Sequence, residues 1–68
     1  MKFNERLKEL RLMKGLTLKE ASSALSLSLA AYANYEYGNR EPSIEIIKRI
    51  CLFYKVTSDY LIGLTDEF

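Results

Sequence analysis

Two helix-start signals lie so close together that the chain between them has room only for a sharp turn. Thr17-Leu18-Lys19-Glu20 has the capping-box pattern, in which a threonine hydroxyl and a glutamate carboxylate three residues on satisfy opposite amides at a helix start. Ser28 is the next such cap, and only Ser26 and Leu27 separate it from a short helix reaching about Leu25. Helices joined this tightly cross steeply instead of lying antiparallel, so the second is left to project. That second helix runs from Ser28 to about Tyr37, with Leu27 and Tyr32 spaced as a hydrophobic staple and Gly38 as its stop.

Helical periodicity continues on both sides of the pair. Phe3, Leu7 and Leu10 recur at spacings of four and three, with Asn4 as a cap, which predicts a first helix from about residue 4 to Met13, stopped before Gly15. Ser43 caps a fourth helix whose Ile44, Ile47, Ile50, Cys51 and Tyr54 line one face. Thr57 caps a brief fifth carrying Tyr60, Leu61 and Ile62, with Val56 and Leu61 as its staple and Gly63 as its stop. There is no strand pattern, repeat or linker. The expectation is one all-α domain over residues 1–68 with five helices and a helix-turn-helix at about 17–36.

Composition removes most catalytic chemistry. A chain of 68 residues supports one modest core, and with no histidine and one cysteine it cannot assemble a Ser-His-Asp or Cys-His arrangement or a thiolate or imidazole zinc site. No enzyme, cofactor, metal or small-molecule ligand is therefore inferred. Cys51, inside the apolar run IIKRICLFY, reads as a small buried hydrophobe. The charged start MKFNERLKEL is not a signal sequence, and no apolar run approaches membrane-spanning length, so a soluble cytoplasmic protein without a membrane partner is expected. Although the net charge is +1, residues 1–19 carry six basic against two acidic groups, and the remainder four against seven. That asymmetry suits an anionic partner.

Helix-turn-helix geometry would place residues 28–37 in a major groove with their N-terminal end nearest the base edges, while helix starts direct amides at phosphates. The residues LKELRxxKGLTxxE, LSLS, NYEYGNREPSIEIIKRI and VTSDYLIGLTD together resemble the Cro and lambda-repressor-like (XRE-type) helix-turn-helix transcriptional regulators, over essentially the whole chain from Phe3 to Asp66. The resemblance implies a five-helix lambda-repressor-like fold and a repressor or regulator that binds double-stranded operator DNA. It implies an ion pair between Arg11 and Glu36, fixing the reading helix to the scaffold. It further implies base contacts at Leu29, Ala30, Ala33 and Asn34, with Tyr37 just beyond, and phosphate contacts from Thr17, Leu18, Lys19, Ser28, Asn39 and Arg40. A homodimer on a pseudo-palindrome would meet through helix five, with Tyr60, Leu61, Ile62 and Leu64 as candidate contacts and core as an equal alternative for Leu61. Four positions depart from the family pattern: Leu18 stands for a frequent glutamine, Ser22 for alanine, and Ser26 and Lys55 for glycine. The last two are expected in left-handed backbone angles, at roughly 1 to 2 kcal/mol each.

The reading helix is unusually bland. Leucine and alanine cannot donate to guanine, so direct readout reduces to apolar contact with thymine methyls from Leu29, Ala30 or Ala33, plus Asn34, whose amide can pair bidentately with adenine. Tyr32 and Tyr35 share a face with the staple and read as core. An A·T-leaning site follows, with DNA shape as a second source of specificity. The competing reading is a protein-interaction module that keeps the fold and docks a partner through the same apolar helix.

Overall fold

The computed structural model describes residues 2–66, which form α1 (Phe3–Met13), α2 (Leu18–Ala24), α3 (Leu29–Tyr37), α4 (Ile44–Tyr54) and α5 (Ser58–Leu61), with no strand among the described residues. Four of the five starts are made by the hydroxyls anticipated from sequence. Thr17, Ser28, Ser43 and Thr57 each accept from the amide three residues on, at 3.1, 3.1, 3.3 and 3.1 Å. Each such cap is worth about 1 kcal/mol. The Glu20 carboxylate completes the box at α2 by accepting from the Thr17 amide at 2.9 Å.

The first helix starts differently from the expectation. Asn4 is not its cap: Lys2 occupies that position, with its amide donating to the Glu5 carboxylate at 3.0 Å, and Asn4 lies inside the first turn. Its side chain sits against Gly38, where an added Cβ would meet the Asn4 amide nitrogen at 3.4 Å. The small residue lets the end of α3 approach α1.

The helices share one way of ending. In α1, α2, α3 and α5 an amide bonds back five residues to a carbonyl and its predecessor bonds back three, as in Asn39 to Asn34 and Gly38 to Tyr35. This two-bond closure requires one left-handed residue. Glycine fills it after three helices and Ser26 (φ 57°) after α2; Lys55 (φ 58°) is the left-handed residue after α4, where the Lys55 and Val56 amides both bond back to the Cys51 carbonyl. The backbone strain expected at both positions is present.

The core joins Leu7 and Leu10 of α1, Ala21 and the following Leu25, Tyr32 and Tyr35 of α3, Ile50 and Tyr54 of α4, and Tyr60 and Leu61 of α5. Each fully buried aliphatic such as Leu7, Ile50 or Leu61 contributes about 1.5–3 kcal/mol by leaving water. At its centre the Tyr32 and Tyr54 hydroxyls hydrogen-bond each other at 2.7 Å, tying α3 to α4. Burial pushes both phenols up, the Tyr32 hydroxyl well above its ordinary range. Cys51 is partly buried and unpaired, with its thiol raised by desolvation, consistent with a packing role. The α4 face is only partly as expected: Ile50 and Tyr54 are buried and Ile47 and Cys51 half-buried, but Ile44 is 74% exposed. Ile44 belongs to the first turn, beyond the elements that cover the rest of the helix.

Candidate nucleic-acid interface

Helix α3 has two faces of opposite meaning. Tyr32, Tyr35 and Glu36, at the i, i+3, i+4 spacing of one helical stripe, are buried. Leu29, Ala30 and Tyr37 are exposed and Ala33 and Asn34 half-buried, so the five residues assigned to base contact share the outward side. Nothing in that row but the Asn34 amide and the Tyr37 hydroxyl can form a side-chain hydrogen bond.

The inner face is fixed by a charged fork. Arg11 Nε donates to one Glu36 carboxylate oxygen at 2.8 Å and a terminal nitrogen to the other at 3.1 Å, while its remaining terminal nitrogen donates to the Leu16 carbonyl at 2.8 Å. Both side chains are nearly sealed, with 10% and 2% of their surface accessible. The hydrogen bonds that Arg11 donates to Glu36 outweigh desolvation and raise the Arg11 pKa above its ordinary value. A planar bidentate pair fixes orientation as well as distance, so α3 is held at one angle to α1.

The assigned phosphate contacts are less uniform. Lys19, Ser28, Asn39 and Arg40 are exposed, the last two directly after the end of α3. The Ser28 hydroxyl already caps Ala31, and both the Thr17 hydroxyl and amide are engaged with Glu20. Accepting from the Thr17 backbone, and then its side chain, lowers the Glu20 pKa, so an exposed carboxylate is held at the start of α2. Leu18 packs against the core, leaving only its backbone available to a phosphate. Ser22, in place of alanine, is buried but satisfied, its hydroxyl donating to the Lys19 carbonyl at 2.9 Å.

Two features revise the charge reading. Of the six basic residues in the first nineteen, Arg6 and Arg11 are withdrawn from solvent, leaving four lysines against Glu5 and Glu9 on the surface. Arg6 lies over the Tyr60 ring at 4.1 Å and donates to the Thr65 carbonyl at 2.8 Å and the Asp66 carboxylate at 2.6 Å. Asp66 is almost fully solvated, so the stack and the carbonyl bond hold Arg6 more than the ion pair does. Of the expected dimer contacts, Tyr60 and Leu61 are 5% and 0% exposed and are spent on this chain's own core, whereas Ile62 and Leu64 stand outward at 45% and 74%. Arg49 was missed from sequence. It reaches the Leu25 carbonyl at 3.4 Å, beside the strained turn at Ser26, and its only local signal is Glu45 one turn earlier.

The profile of the family described as helix-turn-helix matches residues 7–61, which contain α2, α3 and both partners of the Arg11–Glu36 fork. The chain belongs to the helix-turn-helix family. Among helix-turn-helix relatives, it is 36% identical over 63 residues to the transcriptional regulator ImmR of Bacillus subtilis, covering 93% of this chain and 50% of ImmR. It is 39% identical over 63 residues to the transcriptional activator BcrR of Enterococcus faecalis, covering 93% of this chain and 31% of BcrR. The chain thus spans half or less of these two regulators. A transcriptional regulator from Listeria innocua superposes with TM-score 0.85 at 27% identity, over 98% of this chain and 63% of that one. The P22 c2 repressor bound to a synthetic operator superposes with TM-score 0.86 at 19% identity, over 93% and 96%. The fold is that of the lambda-repressor-like helix-turn-helix domains. No helix among the described residues is long and apolar enough to cross a membrane.

Proposed function

We propose that this domain binds double-stranded DNA sequence-specifically as a cytoplasmic transcriptional regulator, setting α3 into the major groove of each half of a pseudo-palindromic operator as a homodimer. The observation that carries the reading is α3 itself: its inner face is pinned by the Arg11–Glu36 fork and its outer face is left small and open. Leu29, Ala30 and Ala33 offer methyl groups to thymine and Asn34 an amide to adenine, which favours A·T-rich half-sites. Small side chains let the helix backbone sit deep in the groove, where groove width also carries information. Asn39, Arg40 and Lys19 supply the polar and cationic groups for phosphate, with Tyr37 at the edge. Glu20 opposes phosphate at the start of α2, which predicts modest intrinsic affinity.

The test is retention of random duplexes on the purified domain at two salt concentrations, followed by sequencing. Enrichment of an A·T-leaning pseudo-palindrome, falling steeply with salt at a logarithmic slope near −0.9 per neutralised phosphate, supports the reading. No retention at low salt would reject it in favour of a protein-docking role for the apolar outer face of α3, where Leu29 is 48% and Tyr37 64% exposed.

A further inference from the structure

Helix α4 carries a large aliphatic side chain in its second half that no other element covers. Leu52 is 80% exposed, the highest value for a large hydrophobic among the described residues. It is also the shared wall of two grooves. One, of about 470 Å³, opens between Leu52 and the end of α2, lined by Ala24, Leu25, Ser26, Arg49 and Phe53. The other, of about 370 Å³, is lined by Ile47, Lys48, Cys51 and Ser58. Neither includes a residue assigned to DNA or to a dimer, so this face is separate from both. Long cationic side chains cover apolar surface with their stems and hold the charge in water. Lys48 and Arg49 therefore give each groove an aliphatic wall and a cationic rim. Lys14 adds a charge 5.0 Å from the centre of the Phe53 ring, and Lys55 follows Leu52 by three residues. Against these four cations the same stretch offers Asp59, beside Ser58, and Glu45, which lies 3.9 Å from Arg49 and is 78% accessible. So exposed a pair leaves the guanidinium open to another carboxylate.

We propose that this face receives an amphipathic helix of a second protein, whose aliphatic side chains straddle Leu52 and whose flanking carboxylates meet Lys48 and Arg49. Side chains three and four apart on a helix are surface neighbours, and the hollow between them takes a single projecting residue of a facing helix. Leu52 is such a residue, and the grooves on its two sides take the neighbours. Charge chooses the partner. A second copy would bring Lys48 and Arg49 against their own equivalents across a two-fold axis, and like charges oppose that pairing. A phosphate backbone would use the cations and leave Leu52 idle. A helix with an aliphatic row and acidic flanks uses both. Because the face shares no residue with the outward side of α3, the assignment does not depend on DNA binding.

The experiment selects binders of the immobilised domain from a display library of randomised helical peptides. Recovered peptides should carry an aliphatic pair three or four residues apart beside Asp or Glu. In fluorescence anisotropy they should bind Leu52→Gln more weakly by about tenfold or more, the loss expected when a leucine is no longer buried. Lys48→Glu should weaken them by about two- to fivefold, as a charge at the rim does. Glutamine is a good helix former and the position is exposed, so Leu52→Gln leaves α4 intact, which a circular dichroism melt verifies. Recovery of no peptide, of peptides without an acidic excess, or of peptides that bind Leu52→Gln as tightly as wild type would overturn the proposal. So would Leu52-dependent binding to phosphatidylserine vesicles, or Leu52-dependent self-association in sedimentation, either of which gives the face a different occupant.

Discussion

Replacing Glu36 by alanine tests the central claim, that the outer face of α3 is aimed by a buried charge. The substitution removes two charge-assisted hydrogen bonds of 2.8 and 3.1 Å and leaves the Arg11 guanidinium 10% accessible with only the Leu16 carbonyl as a close partner. Breaking a buried pair from one side costs about 3–5 kcal/mol. A domain of this length has roughly 3–10 kcal/mol of stability in total, so Tm should fall by about 12 °C or more. Arg11→Met should cost a similar amount, because it leaves the Glu36 carboxylate, 2% accessible, without its partner. The double variant Arg11→Met/Glu36→Leu should recover most of the loss. Urea titrations followed at 222 nm measure all four corners. A Glu36→Ala cost below about 1 kcal/mol would place the pair with surface ion pairs and refute the aiming argument.

Four further outcomes are expected. Asn34→Ala should relax preference at one base pair by about 1–3 kcal/mol, and equal losses on every sequence would remove it from base reading. Arg40→Ala should weaken binding uniformly and flatten the salt slope by about 0.9, as measured by titrating one duplex at several salt concentrations. Ser26→Gly and Lys55→Gly should each raise thermal stability by about 1 kcal/mol, since glycine relieves the positive φ at some cost in unfolded-state entropy. The depressed Glu20 pKa means that its contribution to the α2 cap is present above the usual carboxylate value near 4.3 and is lost as pH falls through the lower folded value. Glu20→Gln should blunt that acid-limb dependence in a melt series while retaining the capping box, and should tighten DNA binding.

What was legible in the sequence is what local chemistry decides. Ser and Thr caps act within three residues, so Thr17, Ser28, Ser43 and Thr57 announced their helices, while Ser26 and Lys55 were visible as left-handed positions only through the resemblance to a family that often has glycine there. The buried stripe of Tyr32 and Tyr35 followed from spacing, and the Arg11–Glu36 pair from resemblance to a known family. Periodicity names a helix face without saying how far its neighbours extend, which is why Ile44 was read as core and is exposed. It also cannot divide an apolar face between core and partner, so Tyr60 was offered as a dimer contact and Leu61 equally as core, and both are buried within the chain. Arg6 looked like a solvated cation because its ring partner and carbonyl acceptor lie more than fifty residues away. Nor did any local signal link Tyr32 to Tyr54, whose hydroxyls meet only after α3 and α4 have packed.

The clasp at Arg6 gives α1 the character of a strut under load. A pull on the backbone just after Asp66 would be taken up by the bonds to the Arg6 guanidinium, travel along α1, and arrive through Arg11 at Glu36 on the rear of α3. The route bypasses α4 and the strained turn at Ser26. Two arginines of a single helix thus tie the segment after α5 and the rear of α3 to one common element.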